Sequence, residues 1–166
     1  MRDPRLVEFV ASNMKLAGEE VVWTTSGGAG RGRWVEGSLV EFRQYVFNGG
    51  QKRWKIRRKG LTVFRAWAKF ILLYGYLPKT VDHINGCSWD DSCDNLRAAT
   101  YQQQAYNKLA DGVKFRKRCT KRPWEALIKN PNNGYQTIGY YASRAEAVAA
   151  YRACAAVTFG EYHRAY

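Results

Sequence analysis

Asp82-His83 is the stretch of this chain best equipped for chemistry. His83 is one of two histidines in 166 residues, and it stands directly behind a carboxylate. Asn85-Gly86 follows, then Asn95, then a run of amides that includes Gln104 and Asn107. A neutral imidazole can take a proton from water. A carboxylate with carboxamide oxygens can hold a hard cation and leave positions open for phosphate. These are the parts of a one-metal phosphodiesterase. Taken alone, a histidine beside an aspartate is usually a hydrogen-bonded pair and Asn-Gly is usually only a turn. The ordered set carries the inference.

The surrounding pattern predicts strand, loop, strand and helix. Pro78 ends the preceding helix and leads into extended chain. Residues 81–84 are short and β-branched at both ends, which suits a strand. Asn85-Gly86 marks the turn, and residues 96–99 return as the second strand. Thr100 with Gln103 three residues on reads as a capping box. The helix it opens places Gln104 and Asn107 one turn apart on one face. Its first turn offers backbone N–H groups and a positive dipole end to a phosphate.

Asp82-His83-Ile84-Asn85-Gly86, with Asp90, Asp91, Asn95-Leu96-Arg97, Thr100 and Asn107, resembles the HNH endonucleases. It is most similar to the branch found in phage and intron-encoded homing enzymes. The resemblance implies a ββα-metal finger with His83 as general base, Asp82 as metal ligand and Asn95 bracing the finger loop. Many members carry asparagine four residues after the threonine as a second ligand. This chain has Gln104 there, one methylene longer, and Asn107 matches a further amide of the family. Both stand as candidate second ligands. The implied cofactor is a divalent metal, Mg²⁺ first, and the implied products carry 3′-hydroxyl and 5′-phosphate ends. Arg97 is assigned to DNA.

Composition points the same way. A net charge of +13 fits a polyanionic partner and salt-dependent binding, without choosing among DNA, RNA and anionic lipid. No apolar run reaches membrane-spanning length, and Met1-Arg2-Asp3-Pro4 lacks the apolar core of a secretion signal. The expected location is the cytoplasm, the host's if the chain is phage-encoded. Cys87, Cys93, Cys119 and Cys154 form no C-x-x-C pair, so free thiols are expected rather than a structural zinc.

In chain order, Asp3-Pro4 opens a helix within residues 1–20, with Leu6, Phe9, Val10 and Met14 at helical spacing and Gly18 as its stop. Residues 21–63 read as short strands, with a glycine-rich loop flanked by Arg31 and Arg33. Asn48-Gly49-Gly50 is the turn of a hairpin. In its second strand Arg53, Lys55 and Arg57 alternate with Trp54 and Ile56, so one face can pack while the other meets phosphates. An alternative is a solvated basic edge that only blocks aggregation. Phe64, Trp67, Ala68, Ile71 and Leu72 mark an amphipathic helix. The expected nuclease domain covers residues 21–109.

After a break near Ala110, residues 111–166 read as three strands and a helix. Pro131-Asn132-Asn133-Gly134 turns between the second and third strands. Ser143 and Glu146 form a capping box, and Gly160 closes the helix. Gly112-Val113, Trp124, Ala126, Ile128, Ile138-Gly139 and the alanine-rich run to Gly160 resemble the AP2 DNA-binding domain. That resemblance implies a three-stranded sheet backed by one helix. Lys114, Arg116, Lys129, Tyr135 and Thr137 would face DNA, with Arg118, Lys121 and Arg122 on phosphates. Asp111 stands where that family has arginine.

The expected fold class is therefore α+β, a strand-rich HNH nuclease domain followed by an AP2-like domain. The expected function is metal-dependent, homing-type cleavage of double-stranded DNA, with no membrane partner. The leading alternative is a non-catalytic DNA-binding regulator with a degenerate HNH finger, for which Gln104 is the argument. RNA binding or cleavage is a weaker one.

Overall fold

The computed structural model describes residues 3–30, 33–47, 49–108, 111–130 and 134–164. Arg31, Asn48 and Ala110 lie outside the described residues, as does the expected turn at Pro131-Asn132-Asn133. The fold is α+β, with four α-helices and ten strands in four small sheets among the described residues. The chain forms two compact units, Met1–Tyr101 and Gln102–Tyr166.

The first unit opens with α1 (Pro4–Asn13). The Asp3 side chain accepts from Arg5 N–H, and proline occupies the first turn, where no intrahelical donor is lost. Here the structure corrects the expected stop at Gly18. The helix ends at Asn13, and Met14–Ala17 is strand β1, hairpinned to β2 (Glu20–Trp23). Gly18 serves instead in the hairpin turn, at φ +61°. The apolar spacing that reads as helix continues through Met14 because Met14 is buried from the strand. Trp23 stacks on Trp34 with ring centroids 4.9 Å apart. Gly27 is required beside them, since a Cβ there would sit 2.7 Å from the Trp34 ring.

Strands β3 (Arg43–Val46), β4 (Lys52–Arg58) and β5 (Leu61–Phe64) form an antiparallel sheet with β4 central. The β4–β5 turn is Lys59-Gly60, both at positive φ, the backbone that a two-residue hairpin turn demands. Helix α2 (Arg65–Tyr74) follows and ends at left-handed Gly75. It has two apolar faces. Ala68 and Ile71 join the core made by α1, β1 and β2, while Ala66 and Phe70 pack on Val81 and Leu96. Those two residues belong to β6 (Thr80–His83) and β7 (Leu96–Ala99), an antiparallel pair in which β7 has the expected bounds and β6 lies one residue earlier than expected, leaving Ile84 outside the strand. Helix α2 is thus the platform for Asp82 and His83.

Helix α3 (Tyr101–Tyr106) follows β7, and the division between units falls inside it. In the second unit, β8 (Val113–Phe115), β9 (Trp124–Asn130) and β10 (Gly134–Tyr141) form an antiparallel sheet in the order β10-β9-β8. Helix α4 (Arg144–Phe159) packs on it through Ala147, Tyr151, Ala155 and Phe159, against Ala126 and Ile128. Both hydrogen bonds of the Ser143/Glu146 capping box are formed. Phe159 also stacks on Tyr106, 4.1 Å between centroids, which fastens the end of α3 to this unit.

Gly112 sits at φ +56°, and a Cβ there would come within 2.1 Å of the Tyr151 ring. Its carbonyl accepts from Leu127 N–H at 2.7 Å. Gly112→Ala therefore combines a strained backbone with an overlap in the core. We expect it to destabilise the second unit by about 2 kcal/mol or more, read by urea denaturation.

Candidate active site

The register of β6 and β7 builds the site. Asp82 lies opposite Arg97, and His83 lies opposite Leu96. The direct cross-strand pair lets Arg97 donate to Asp82 Oδ2 from Nε, with Nη2 also 2.9 Å from the same oxygen. Asp82 is buried, as are His83 and Asn95. Arg97, expected on DNA, thus contacts the expected metal ligand within its own finger.

The loop between the strands is closed by its own polar side chains. Asn95 Oδ1 accepts from Asn85 N–H, and its amide donates to Asn85 Oδ1 and to the Asp90 carbonyl at 2.7 Å. Asn85 in turn donates to Asp90 Oδ2, and the Ser92 hydroxyl donates to Asp90 Oδ1. The Ser92 hydroxyl first, and the Asn85 amide next, hold the Asp90 carboxyl below the usual carboxylate range. Asn95 is therefore a brace between the two ends of the loop.

That brace presents Asp91 to His83. Asp91 Oδ1 is 2.7 Å from His83 Nε2, and Asp91 Oδ2 accepts from Arg65 Nε at 2.9 Å. Asp91 is 4 % exposed, so its charge is held by these partners rather than by water. Arg65, from the first turn of α2, also donates to the Trp89 carbonyl and lies over the Trp54 ring of β4 at 4.8 Å. A carboxylate only accepts, so the His83 nitrogen that faces Asp91 carries the hydrogen. In the neutral ring Nδ1 is then the basic nitrogen.

A second tie comes from the β1–β2 hairpin. Glu19 Oε2 accepts from Lys69 Nζ at 2.8 Å and from Cys93 N–H at 3.0 Å. The Lys69 hydrogen bond, then that from Cys93, pull the Glu19 carboxyl below its ordinary range. Burial, then Glu19, pushes the Cys93 thiol up. All four cysteines are free thiols.

Gln104 is half-buried and Asn107 buried; both belong to the second unit. Among the described residues, no group of three or more His, Cys, Asp or Glu side chains is arranged to hold a metal. Of the two buried carboxylates beside His83, Asp91 is engaged by His83 and Arg65, which leaves Asp82 as the candidate ligand from the first unit. A carboxylate completed by an amide and water oxygens suits a hard cation such as Mg²⁺ better than a soft one, so the donor types fit such an ion. Arg97 competes for the same Asp82 oxygen.

Of the basic residues singled out on β4, Arg57 is exposed, while Lys55 and Arg53 are half-buried. Arg53 lies over the Phe47 ring at 5.8 Å. In the second unit Lys114, Arg118, Lys129, Tyr135 and Thr137 are exposed. Arg116 donates to Tyr140 Oη at 2.9 Å and pairs with buried Glu125, and Thr137 donates to Glu125. Asp111 pairs with Arg144. His163 also lies in this unit, its pKa pushed down by burial. Sequence reasoning gave Asp91 no role and passed over Arg65. The adjacent aspartates at 90 and 91 were the available signal for the first, and nothing local marks the second.

Residues 66–106 match the family model of the HNH endonucleases. No curated protein and no solved structure matches the chain. The matched stretch begins one residue into α2, after Arg65, and contains both finger strands and the braced loop. It supports an HNH nuclease, and with it a nucleic-acid substrate.

Asp91→Ala should cost about 2 to 3 kcal/mol, because Arg65 and His83 lose their shared carboxylate. Asp91→Asn should lose less, since its amide oxygen still accepts from Nε2. Imidazole ¹⁵N NMR checks the tautomer: the wild type should show protonated Nε2, and Asp91→Ala a mixture.

Proposed function

We propose that this protein is a metal-dependent endonuclease of the HNH type that hydrolyses double-stranded DNA to 3′-hydroxyl and 5′-phosphate ends. The observation that carries the proposal is the buried Asp91–His83 pair, held by the Asn95 brace inside the HNH-matching stretch and bonded to Arg65, the residue just before it. His83 Nδ1 takes the proton of the attacking water. Asp91 keeps the ring in that tautomer and orientation, with Arg65 fixing the Asp91 carboxylate. Asp82 and one amide, Gln104 in preference to Asn107, are the side chains that would hold the cation. A bound divalent cation, Mg²⁺ first, supplies positive charge to the scissile phosphate and the leaving 3′ oxygen. Burial of Asp82 and His83 keeps bulk water from both groups.

The second unit is read as an AP2-like DNA-binding module. Its three-stranded sheet backed by α4 supports this, as do the exposed Lys114, Lys129, Tyr135 and Thr137. A homing-type, phage-encoded enzyme acting in the host cytoplasm is the biological setting that the sequence resemblance favours. The competing reading is a DNA-binding regulator with a degenerate finger. Its support is the Arg97 guanidinium on Asp82 and the glutamine at 104.

Nicking of supercoiled plasmid in Mg²⁺ decides between the two. His83→Ala should cut at least about 100-fold more slowly while binding DNA nearly as well, which is the loss expected of a general base. Equal cutting by wild type and His83→Ala removes His83 as the base. A wild type that binds but never nicks favours the regulator.

Metal dependence gives a second test. Asp82→Ala should shift the Mg²⁺ titration of cleavage to higher concentration, because a hard cation loses its anionic ligand. Gln104→Ala should lose most activity, and Gln104→Asn should keep or raise it. If Asn107→Ala is the variant that fails and Gln104→Ala cuts normally, the second ligand is Asn107.

A further inference from the structure

Away from the finger, the first unit holds a second concentration of charge. Arg43 of β3 lies directly opposite Lys55 of β4, and Arg57 follows two residues on, so three cations share one face of one sheet. Arg33 and Arg58 join them around a hollow of about 670 Å³, and Glu41 is the one carboxylate in its lining. None of the ion pairs among the described residues uses any of these five cations. Arg58 Nε is buried without a hydrogen-bond partner among the described residues.

This arrangement has a stability cost. Like charges directly opposite one another in an antiparallel pair repel. Lys55 Nζ lies 3.4 Å from the Tyr45 ring centroid, which relieves part of that repulsion. Guarding a sheet edge against aggregation would account for Arg43, since β3 is an edge strand. It does not account for Lys55, which stands on the central strand with Arg43 on one side and Phe64 of β5 on the other. An anion with several negative charges at regular spacing answers the whole cluster.

We propose that this hollow binds the phosphodiester backbone of duplex DNA at phosphates other than the one cleaved. The proposal rests on reading the unit as a DNA endonuclease, and it adds where the substrate lies. The Ser88 hydroxyl of the finger loop donates to the Lys52 carbonyl of β4 at 3.0 Å. That bond ties the finger loop to β4, the strand that supplies Lys55, Arg57 and Arg58 to the hollow.

The test uses the full-length chain, a duplex longer than its footprint and no added divalent cation, so that binding is read without cutting. The dissociation constant is measured against salt concentration. The triple variant Arg43→Gln/Lys55→Gln/Arg57→Gln should lower the slope of log Kd against log salt by about 2 to 3, and Arg43→Gln alone by about 1. Arg43→Lys should keep the slope. Lys15→Gln, an exposed site on β1, should leave it unchanged. The melting temperature of Arg43→Gln should hold or rise, because the cross-strand repulsion is gone, and that separates lost contacts from lost folding. A wild-type slope in the triple variant overturns the proposal. Weakened binding of duplex RNA with duplex DNA unaffected overturns the assignment to DNA. Plasmid cutting, assayed separately, keeps the two readings apart. A lowered slope in a protein that never cuts upholds the hollow and removes the nuclease. Cutting with an unaltered slope does the reverse.

Discussion

The carboxylate of Asp91 is the contact on which the first unit's site depends. It is buried, and it serves two partners at once, His83 through one oxygen and Arg65 through the other. Removed from water, that charge is tolerable only because both oxygens are bonded. The same requirement fixes the imidazole, since a ring held at 2.7 Å by an acceptor has one tautomer and one orientation. The Asn95 brace and the Asn85–Asp90 pair hold the loop in the shape that delivers Asp91.

Helix α2 joins this local chemistry to the rest of the unit. One face packs into the core made by α1 and the β1–β2 hairpin, and the other carries Val81 and Leu96 of the finger strands. Its first residue supplies the guanidinium for Asp91, and its buried Lys69 pairs with Glu19, which also holds the Cys93 N–H. The finger is therefore fastened at its strands by apolar packing and at its loop by two ion-paired side chains. The general base proposed at His83 would gain from this, because small displacements of a catalytic group cost large factors in rate.

Charge in this protein is spent in two different ways. Inside the finger every buried charge has a partner, as Asp82 with Arg97 and Asp91 with Arg65 show. On β3 and β4 the cations face one another across the sheet with a single carboxylate among the residues around them. The first arrangement stabilises a fixed geometry, whereas the second leaves a field for an anionic partner.

The finger was legible in the sequence because its parts are local. Asp82, His83, Asn85, Asn95 and Arg97 fall within one strand–turn–strand, and short-range propensity and turn chemistry placed β7 and the Ser143 cap of α4 where the structure has them, and β6 one residue late. Other features depended on packing between distant segments. Arg65 reaches Asp91 across 26 residues, and Glu19 reaches Cys93 across 74; neither spacing leaves a periodic trace. The end of α1 at Asn13 was set by β1 pairing with β2, which outweighed helical spacing that runs on to Met14. The β4–β5 hairpin turns on Lys59-Gly60, a pair without the asparagine or aspartate that usually announces such a turn. Tyr106 stacking on Phe159 assigned the end of α3 to the second unit. The sequence determined which residues could do chemistry and the local frame that holds them. Tertiary packing decided which distant charges that chemistry leans on, because burial makes a pairing obligatory only once the fold has brought the partners together.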